Sequence, residues 1–194
     1  MVRWIEAFLT NRTQKVKING VHSNIKPVLS GIPQGSVLGP ILFAIFINDL
    51  PEVTNNLSNM YLFADDAKMY KTIKSDVDAK ILNDCYQNMM SWSDKWCMKL
   101  NIDKCKVLSL AKHSNTIKKY DYNGVLQGDV VCKLEHVSVI KDLGVNVDEV
   151  LNFKEHINEK INKAYQMLGI INRNFSDLDS KSFVLIYKAM VRSL

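Results

Sequence analysis

Apolar and polar positions along the chain follow two rhythms, and each predicts a different kind of element. Trp4 to Leu9 reads as the tail of a helix. The stretch QKVKINGVHSNIKPVLS divides into two runs around Asn19-Gly20. That dipeptide accepts positive φ and favours a tight turn, so a β-hairpin is predicted from Lys15 to Leu29. Beyond Gly39-Pro40, the pairs Ile41/Leu42 and Ile45/Phe46 continue Val37/Leu38 at four-residue spacing. They predict one apolar helical face running toward Leu50, where Pro51 helps stop it. The start of that helix has two readings, Ser36 as its cap or Pro40 at its first position.

Met60 to Ile73 reads as strand, turn, strand about Asp65-Asp66, with flanks apolar enough to predict two buried strands. Val77, Ile81, Cys85, Met89, Trp92 and Trp96 then step by 4, 4, 4, 3 and 4, which predicts a long helix with that face in the core. This stripe reads as packing, not as a cofactor box. Short strands are predicted at Lys106 to Ala111, Tyr120 to Leu126 around Asn123-Gly124, Val130 to Leu134 and Ile140 to Val147, forming a small antiparallel element. From Phe153 the helical spacing returns through Ile157, Ile161, Ala164, Leu168 and Ile171. A last helix holds Phe183, Ile186, Tyr187, Met190 and Leu194, and it ends inside an apolar pattern, as a truncated chain would. A border between two lobes is expected near Asp148 to Asn152, and no internal repeat or low-complexity tract interrupts the pattern.

Composition adds limits. With 194 residues, 47% hydrophobic and 23% charged, the chain is a globular protein with one ordinary core or two small lobes. Lysine and arginine outnumber acids by 25 to 20, which is compatible with a polyanionic partner without requiring one. The four cysteines, Cys85, Cys97, Cys105 and Cys132, lie 12, 8 and 27 residues apart with no CxxC pair, so a reducing compartment is expected. The apolar run Ile41 to Ile47 ends at Asn48-Asp49 and is too short to span a membrane, and the N-terminus lacks a signal peptide's cleavage region. An intracellular protein is expected, with nucleus and cytoplasm unresolved.

Two segments carry candidate chemistry. Adjacent aspartates at a hairpin tip usually mark a solvated turn, because Asp tolerates turn geometry and bonds its own backbone. Beside a core, however, a carboxylate is costly unless it is hydrogen-bonded, protonated or bound to a cation, and hard oxygen ligands favour Mg²⁺ or Mn²⁺ over zinc. The other segment, SGIPQGSVLGP, reads either as a plain loop before a helix or as glycine-exposed backbone that cradles a phosphate or lets a nucleotide approach. Gln34 would offer an amide there. No Gly-Lys-Ser/Thr occurs, so it is not the phosphate loop of nucleotide hydrolases.

Taken together, SGIPQGSVLGPILFAIFINDLP and FADD resemble motif B and the catalytic motif C box of the reverse transcriptases of non-LTR (LINE-type) retrotransposons. WCMKLNIDKCKVL is similar to the region around motif D. KDLGVNVDEVLNFKEHINEKINKAYQMLGIINR is similar to the segment leading into the thumb, and WIEAFLTNRTQKVKINGVHS to the fingers-to-palm stretch. The resemblance covers nearly all of the 194 residues. It implies an α+β fold: a right-hand polymerase palm fragment with antiparallel strands and helices over 1–148, then a helical thumb-like lobe over 149–194. It also implies an RNA-directed DNA polymerase that takes an RNA template, a DNA primer and deoxynucleoside triphosphates, uses Mg²⁺ or Mn²⁺, and needs no membrane.

Position by position, the resemblance makes Asp65 and Asp66 the metal-site aspartates. Pro33, Gln34, Gly35, Phe63 and Ala64 become nucleotide- or template-facing residues, and Lys104 the motif D lysine near the leaving phosphate, where a solvated lysine is the other reading. Family members hold their metals with one further aspartate from motif A, which would lie before Trp4, where only Met1, Val2 and Arg3 stand. The chain alone is therefore expected to lack a complete metal site. A runner-up follows, a catalytically silent remnant that binds RNA or a protein partner. Seven lysines against two aspartates between Asp94 and Lys119, with Lys154, Lys160 and Lys163 beyond, permit phosphate contacts. A charged, solvated face is the commoner meaning of such runs.

Overall fold

A computed structural model describes residues 1–126 and 130–193. It is a mixed fold of helices and small strand pairs, and it divides into two compact units, Met1–Met98 and Lys99–Leu194.

The first unit opens with α1 (Val2–Leu9), on which Trp4 stacks against Phe8 one turn later, at 5.7 Å between ring centroids. A two-stranded ribbon follows, made of β1 (Thr13–Gln14), β2 (Lys17–Ile18), β3 (Val21–His22) and β4 (Lys26–Pro27). Its tip is Asn19-Gly20, with φ of 47° and 84°. Two successive positive φ values match the right-handed twist of a hairpin, which is why this dipeptide was readable as a turn. The pairing Lys17↔His22 and Gln14↔Lys26 gives the register, and the Ser23 hydroxyl accepts the Val16 N–H at 2.9 Å between the two ladders.

Helix α2 (Leu38–Ile47) starts two residues before Pro40, so the proline occupies its third position. No intrahelical donor is lost there, because the first turn's N–H groups have no partner within the helix. Ser36 serves the start: its Oγ accepts the Gly39 N–H at 3.0 Å. A 3₁₀ turn at Leu50–Thr54, with Pro51 in its first positions, ends the segment. Next come β5 (Asn59–Phe63) and β6 (Asp66–Tyr70), an antiparallel pair, and then α3 (Asp76–Lys95). The Asp78 carboxylate caps α3 by accepting the backbone N–H groups of Lys74 and Ser75, each at 3.0 Å. Those bonds, the Lys74 one first, hold its carboxyl below the usual range.

This unit's core joins α2, the 3₁₀ turn, β5 and α3. Ile47, Leu50 and Trp92 are buried, and Phe43, Phe46, Val53, Met60, Leu62, Met89 and Met98 pack on them. Phe46 meets Trp92 and Trp96 edge-on, at 5.9 and 5.6 Å. Two polar side chains of this region are paired: the Trp92 indole N–H donates to Asp49 Oδ1 at 3.0 Å, and the Asn88 amide donates to the Val53 carbonyl at 3.0 Å.

Two predicted stripes are displaced. On α3 the buried residues are Ala79, Cys85, Tyr86, Met90, Trp92 and Ser93, while Val77 is 65% exposed and Trp96 41%. At about 100° per residue, each four-residue step advances about 40° around the helix. Three such steps therefore carry a stripe well off one face. On α2, Ile41 and Ile45 of the predicted face point outward while Phe46 of that face does pack on the core, joined by Phe43 and Ile47.

In the second unit, a 3₁₀ turn (Ile102–Lys104) leads to β7 (Lys106–Val107). The pair β8 (Asn123–Leu126) and β9 (Val130–Lys133) is antiparallel, and Asn123-Gly124 lies within β8 rather than at a turn. The strand β10 (Glu135–His136) pairs with β7 in parallel, a departure from the all-antiparallel expectation. What read as one strand from Ile140 to Val147 is a hairpin, β11 (Val139–Asp142) and β12 (Val145–Asp148), turning on Leu143 and Gly144 with φ of 45° and 87°.

Helix α4 (Lys154–Asn174) is launched by Asp148, whose carboxylate accepts the backbone N–H groups of Val150, Asn152 and Phe153 at 3.1, 3.1 and 2.7 Å. Of its predicted apolar face only the C-terminal end is deeply packed: Ile171 is 1% exposed, against 52% at Ile157 and 45% at Ile161. Helix α5 (Ser180–Ile186), capped by Asp179, runs on into a π-helical turn at Tyr187–Val191, and Leu194 lies outside the described residues. The expected palm-to-thumb border at 148/149 falls inside this unit, where Asn146 on β12 donates to Glu159 on α4 at 2.7 Å. Among the described residues no helix is long and apolar enough to cross a membrane.

The Lys163 ammonium, then the Asn146 amide, pull the Glu159 carboxyl from 4.5 down to about 2. A folded pKa below the unfolded one stabilises above the unfolded value and ceases to do so as pH falls through the folded value. The thermal midpoint of the parent chain should therefore exceed that of Glu159→Gln at neutral pH. The gap should close between about pH 4.5 and about pH 2. Parallel melting curves across that range check it, and a gap that persists unchanged at the acid end would refute it.

Candidate functional site

The two candidate segments are built by local rules. Pro33, Gln34, Gly35 and Ser36 form a turn closed by the Ser36 N–H on the Pro33 carbonyl at 3.4 Å, with Gly35 at φ 80°. A positive φ at the third position of such a turn is the reason for glycine there. Gln34 and Gly35 are exposed and Pro33 is half-buried. Gly39 is buried for another reason: a Cβ there would meet Ser36 Oγ at 3.0 Å and the Pro33 carbonyl oxygen at 3.2 Å, so the turn folds down on the helix start. Arg12 ties this loop to the preceding ribbon. Its guanidinium donates to the carbonyls of Leu9, Ser30 and Gly31. Nothing in the sequence pattern had singled out Arg12, because a lone arginine announces no partner.

Asp65 lies in the two-residue turn between β5 and β6, and Asp66 opens β6 opposite Phe63. Both are exposed, and among the described residues no side-chain hydrogen bond or ion pair engages either carboxylate. The expectation of two buried strands is corrected here. Alternation along the pair leaves Met60, Leu62 and Met69 half-buried. The opposite face, with Tyr61, Phe63 and Tyr70 at 63%, 62% and 46% exposure, is open. Tyr61 and Tyr70 stack at 5.5 Å on that face, and the Tyr70 hydroxyl donates to that of Tyr61, which raises the Tyr70 pKa. Ala64 sits at φ 51°, a left-handed conformation that costs an L-residue roughly 1–2 kcal/mol. A positive φ at the first residue of a two-residue hairpin turn is what the twist of the two strands asks for.

The aspartates and the Pro33–Ser36 turn share a scaffold. Helix α2 supplies Phe43, Phe46 and Ile47 and β5 supplies Met60 and Leu62 to one core cluster. No hydrogen bond or ion pair joins the turn to the aspartates among the described residues. Lys104 ends the 3₁₀ turn of the second unit, where it is exposed. Asp49 is a structural residue, since its carboxylate is the acceptor for Trp92.

Carboxylate oxygens are the donors that Mg²⁺ and Mn²⁺ take, so Asp65 and Asp66 fit such an ion in kind. In number they leave it open. Among the described residues no three of His, Cys, Asp and Glu are grouped so as to hold a metal ion.

Comparison with known proteins gives the family. The model of the family described as reverse transcriptase (RNA-dependent DNA polymerase) matches residues 1–170. The RNA-directed DNA polymerase from mobile element jockey of Drosophila melanogaster is 31% identical over 160 residues, covering 79% of this chain and 17% of its own length. Its counterpart from Drosophila funebris is 31% identical over 201 residues, 96% of this chain and 21% of its own. The probable RNA-directed DNA polymerase from transposon BS of Drosophila melanogaster is 26% identical over 173 residues, 84% and 18% respectively. The chain thus spans about a fifth of the length of these curated relatives. No solved structure matches it at a significant level. With the family model covering residues 1–170 and such relatives behind it, the chain belongs to the reverse transcriptases, on the branch of the non-LTR retrotransposons.

Proposed function

We propose that this chain is the motif B to thumb portion of an RNA-directed DNA polymerase, a nucleotidyltransferase that extends a DNA primer on an RNA template with deoxynucleoside triphosphates. The observation that carries the proposal is the Asp65-Asp66 tip, two uncompensated carboxylates on a strained turn whose inner face is anchored in the core of the first unit. Asp65 and Asp66 would hold Mg²⁺, or Mn²⁺ in its place, together with the motif A aspartate of the family. Such an ion, when bound, stabilises charge on the attacking and leaving oxygens.

This chain's own residues do the positioning. The Pro33–Ser36 turn presents the Gln34 amide and the open backbone of Gly35, with space beside it for a sugar or base. Phe63 and Ala64 form the template- and nucleotide-facing edge next to the acids, Lys104 supplies the motif D cation, and 149–194 serves as the thumb-like segment. The palm is residues 1–148 in this reading. Gln34 and Asp65 then line one cleft, which the packing of α2 and β5 in one cluster supports.

The incomplete donor set favours a second reading for the chain in isolation, silent in catalysis and limited to binding RNA or a protein. Primer extension on an RNA template separates the two. The 194-residue chain alone should incorporate no deoxynucleotide with Mg²⁺ or Mn²⁺. The same chain preceded in frame by a family motif A segment should incorporate in a template-dependent way. Robust incorporation by the chain alone would overturn the metal-site argument, and none by the extended protein, folded and bound to primer-template, would leave the silent reading in place.

A further inference from the structure

The dipeptide Asn-Gly occurs twice in the chain, as Asn19-Gly20 and as Asn123-Gly124, and the fold treats the two copies differently. Asn19 and Gly20 are the whole turn between β2 and β3, both exposed, with φ of 47° and 84°. Among the described residues no hydrogen bond engages the Asn19 carboxamide or the Gly20 N–H. A Cβ built on Gly20 would meet nothing within 4 Å, so the backbone there lies in open space. Asn123 and Gly124 lie inside β8 instead, paired with Lys133 and Cys132 of β9, and there the asparagine is half-buried and the glycine buried.

From this contrast we infer that Asn19 is a site of spontaneous deamidation, protected in its twin Asn123 by the strand pair. The Gly20 backbone nitrogen gives up its proton to solvent base and attacks Asn19 Cγ. A C–N bond closes a succinimide ring, the Cγ–Nδ2 bond breaks, and the leaving nitrogen takes a proton from solvent and departs as ammonia. Water then adds to one of the two ring carbonyls and reopens the ring, which leaves an aspartyl residue at position 19 or its isoaspartyl isomer. No electrons are gained or lost, and water is the one co-reactant. Glycine favours the first step because no Cβ crowds the attacking nitrogen. Ring closure also needs the Asn19 side chain and ψ to rotate. Nothing bonds the exposed turn against that rotation, whereas at Asn123 the β8–β9 pairing must first open locally.

The product alters the ribbon in two ways. It places a carboxylate in the stretch from Ala7 to Asn48, which contains no aspartate or glutamate. The aspartyl form keeps the turn, since Asp tolerates the left-handed conformation. The isoaspartyl form adds a methylene to the main chain, and so disturbs the two-residue loop that sets the register Ile18↔Val21 and Lys17↔His22. The inference is independent of the polymerase reading, because it needs only the ribbon tip.

The test is peptide mapping by mass spectrometry of the folded 194-residue chain during incubation at mildly alkaline pH, with ammonia release followed in parallel. The peptide carrying Asn19 should gain the mass of NH replaced by O at least about tenfold faster than the peptide carrying Asn123, where reaction waits on local opening. In denaturant the ratio of the two rates should fall to about one, because opening no longer limits either site. Asn19→Gln should remove the first gain and leave the slow rate at Asn123 unchanged, since the longer side chain does not form the same ring. No gain at Asn19, or equal rates at the two sites in the folded chain, would overturn the inference. A ratio that persisted undiminished in denaturant would refute the protection assigned to the strand pair and move the cause to the neighbouring side chains.

Discussion

Asp65→Asn, placed in the chain extended by a family motif A segment, should lower deoxynucleotide incorporation by on the order of 10³-fold or more and leave primer-template affinity unchanged. The substitution keeps size and shape but removes the charge that the proposed function gives to a metal ion, and transition-state stabilisation by a bound ion is several kcal/mol, each 1.36 kcal/mol being about tenfold in rate. Binding is spared because Asp65 is exposed at a turn and holds no partner whose loss would disturb the hairpin. Asp66→Asn should have a similar or smaller effect. Steady-state incorporation and anisotropy on the same samples decide the matter. Affinity falling in step with activity would make Asp65 a structural residue, and a loss below about tenfold would return the pair to the role of a solvated turn.

The second large effect concerns the core. Trp92→Ala should destabilise the first unit by about 3–5 kcal/mol, the usual cost of truncating a buried aromatic. Trp92 is 8% exposed and packs among Phe46, Trp96 and the Ile47–Leu50 cluster, so little of the gap can close by relaxation. The change also strips Asp49 of the indole N–H that it accepts. Trp92→Phe, which keeps most of the apolar contact but not that donor, should cost less, and Asp49→Asn, which keeps a carbonyl acceptor, less still. Chemical denaturation of the three variants reads these differences from midpoints at constant slope. A loss below about 1 kcal/mol for Trp92→Ala would mean that the cluster is not the unit's centre of stability. Incorporation that survives Asp49→Asn in the extended protein would separate Asp49 from the proposed metal-binding pair, Asp65 and Asp66.

The local signals transferred well where they depended on a few neighbouring residues. Asn19-Gly20 turned as its backbone freedom demands, and Gly35 took the positive φ that a turn before a helix requires. Ser36 bonds the helix start as one of its two readings proposed. The motif residues that identify the family lie within such short runs, which is why the family was legible from SGIPQGSVLGP and FADD before any coordinates. Periodic signals were less secure. The stripe Val77 to Trp96 was counted in fours, and accumulated rotation takes its ends out of the core. Leu143-Gly144 passed unnoticed inside a run of apolar residues, since a leucine at φ 45° is not a turn signal in sequence.

What the sequence by itself determined about this protein is its family, the hairpin and helix starts, and the pairing of a glycine turn with an aspartate tip, because each depends on backbone preferences acting over a handful of residues. Only the tertiary structure decided which side of each element meets the core. It paired Trp92 with Asp49 across 43 residues, set β7 beside β10 in parallel and left the Tyr61–Phe63 face and the basic ribbon open. Those outcomes follow from competition among many apolar surfaces for the same contacts, and the period of one segment carries no record of the partner that another segment presents to it.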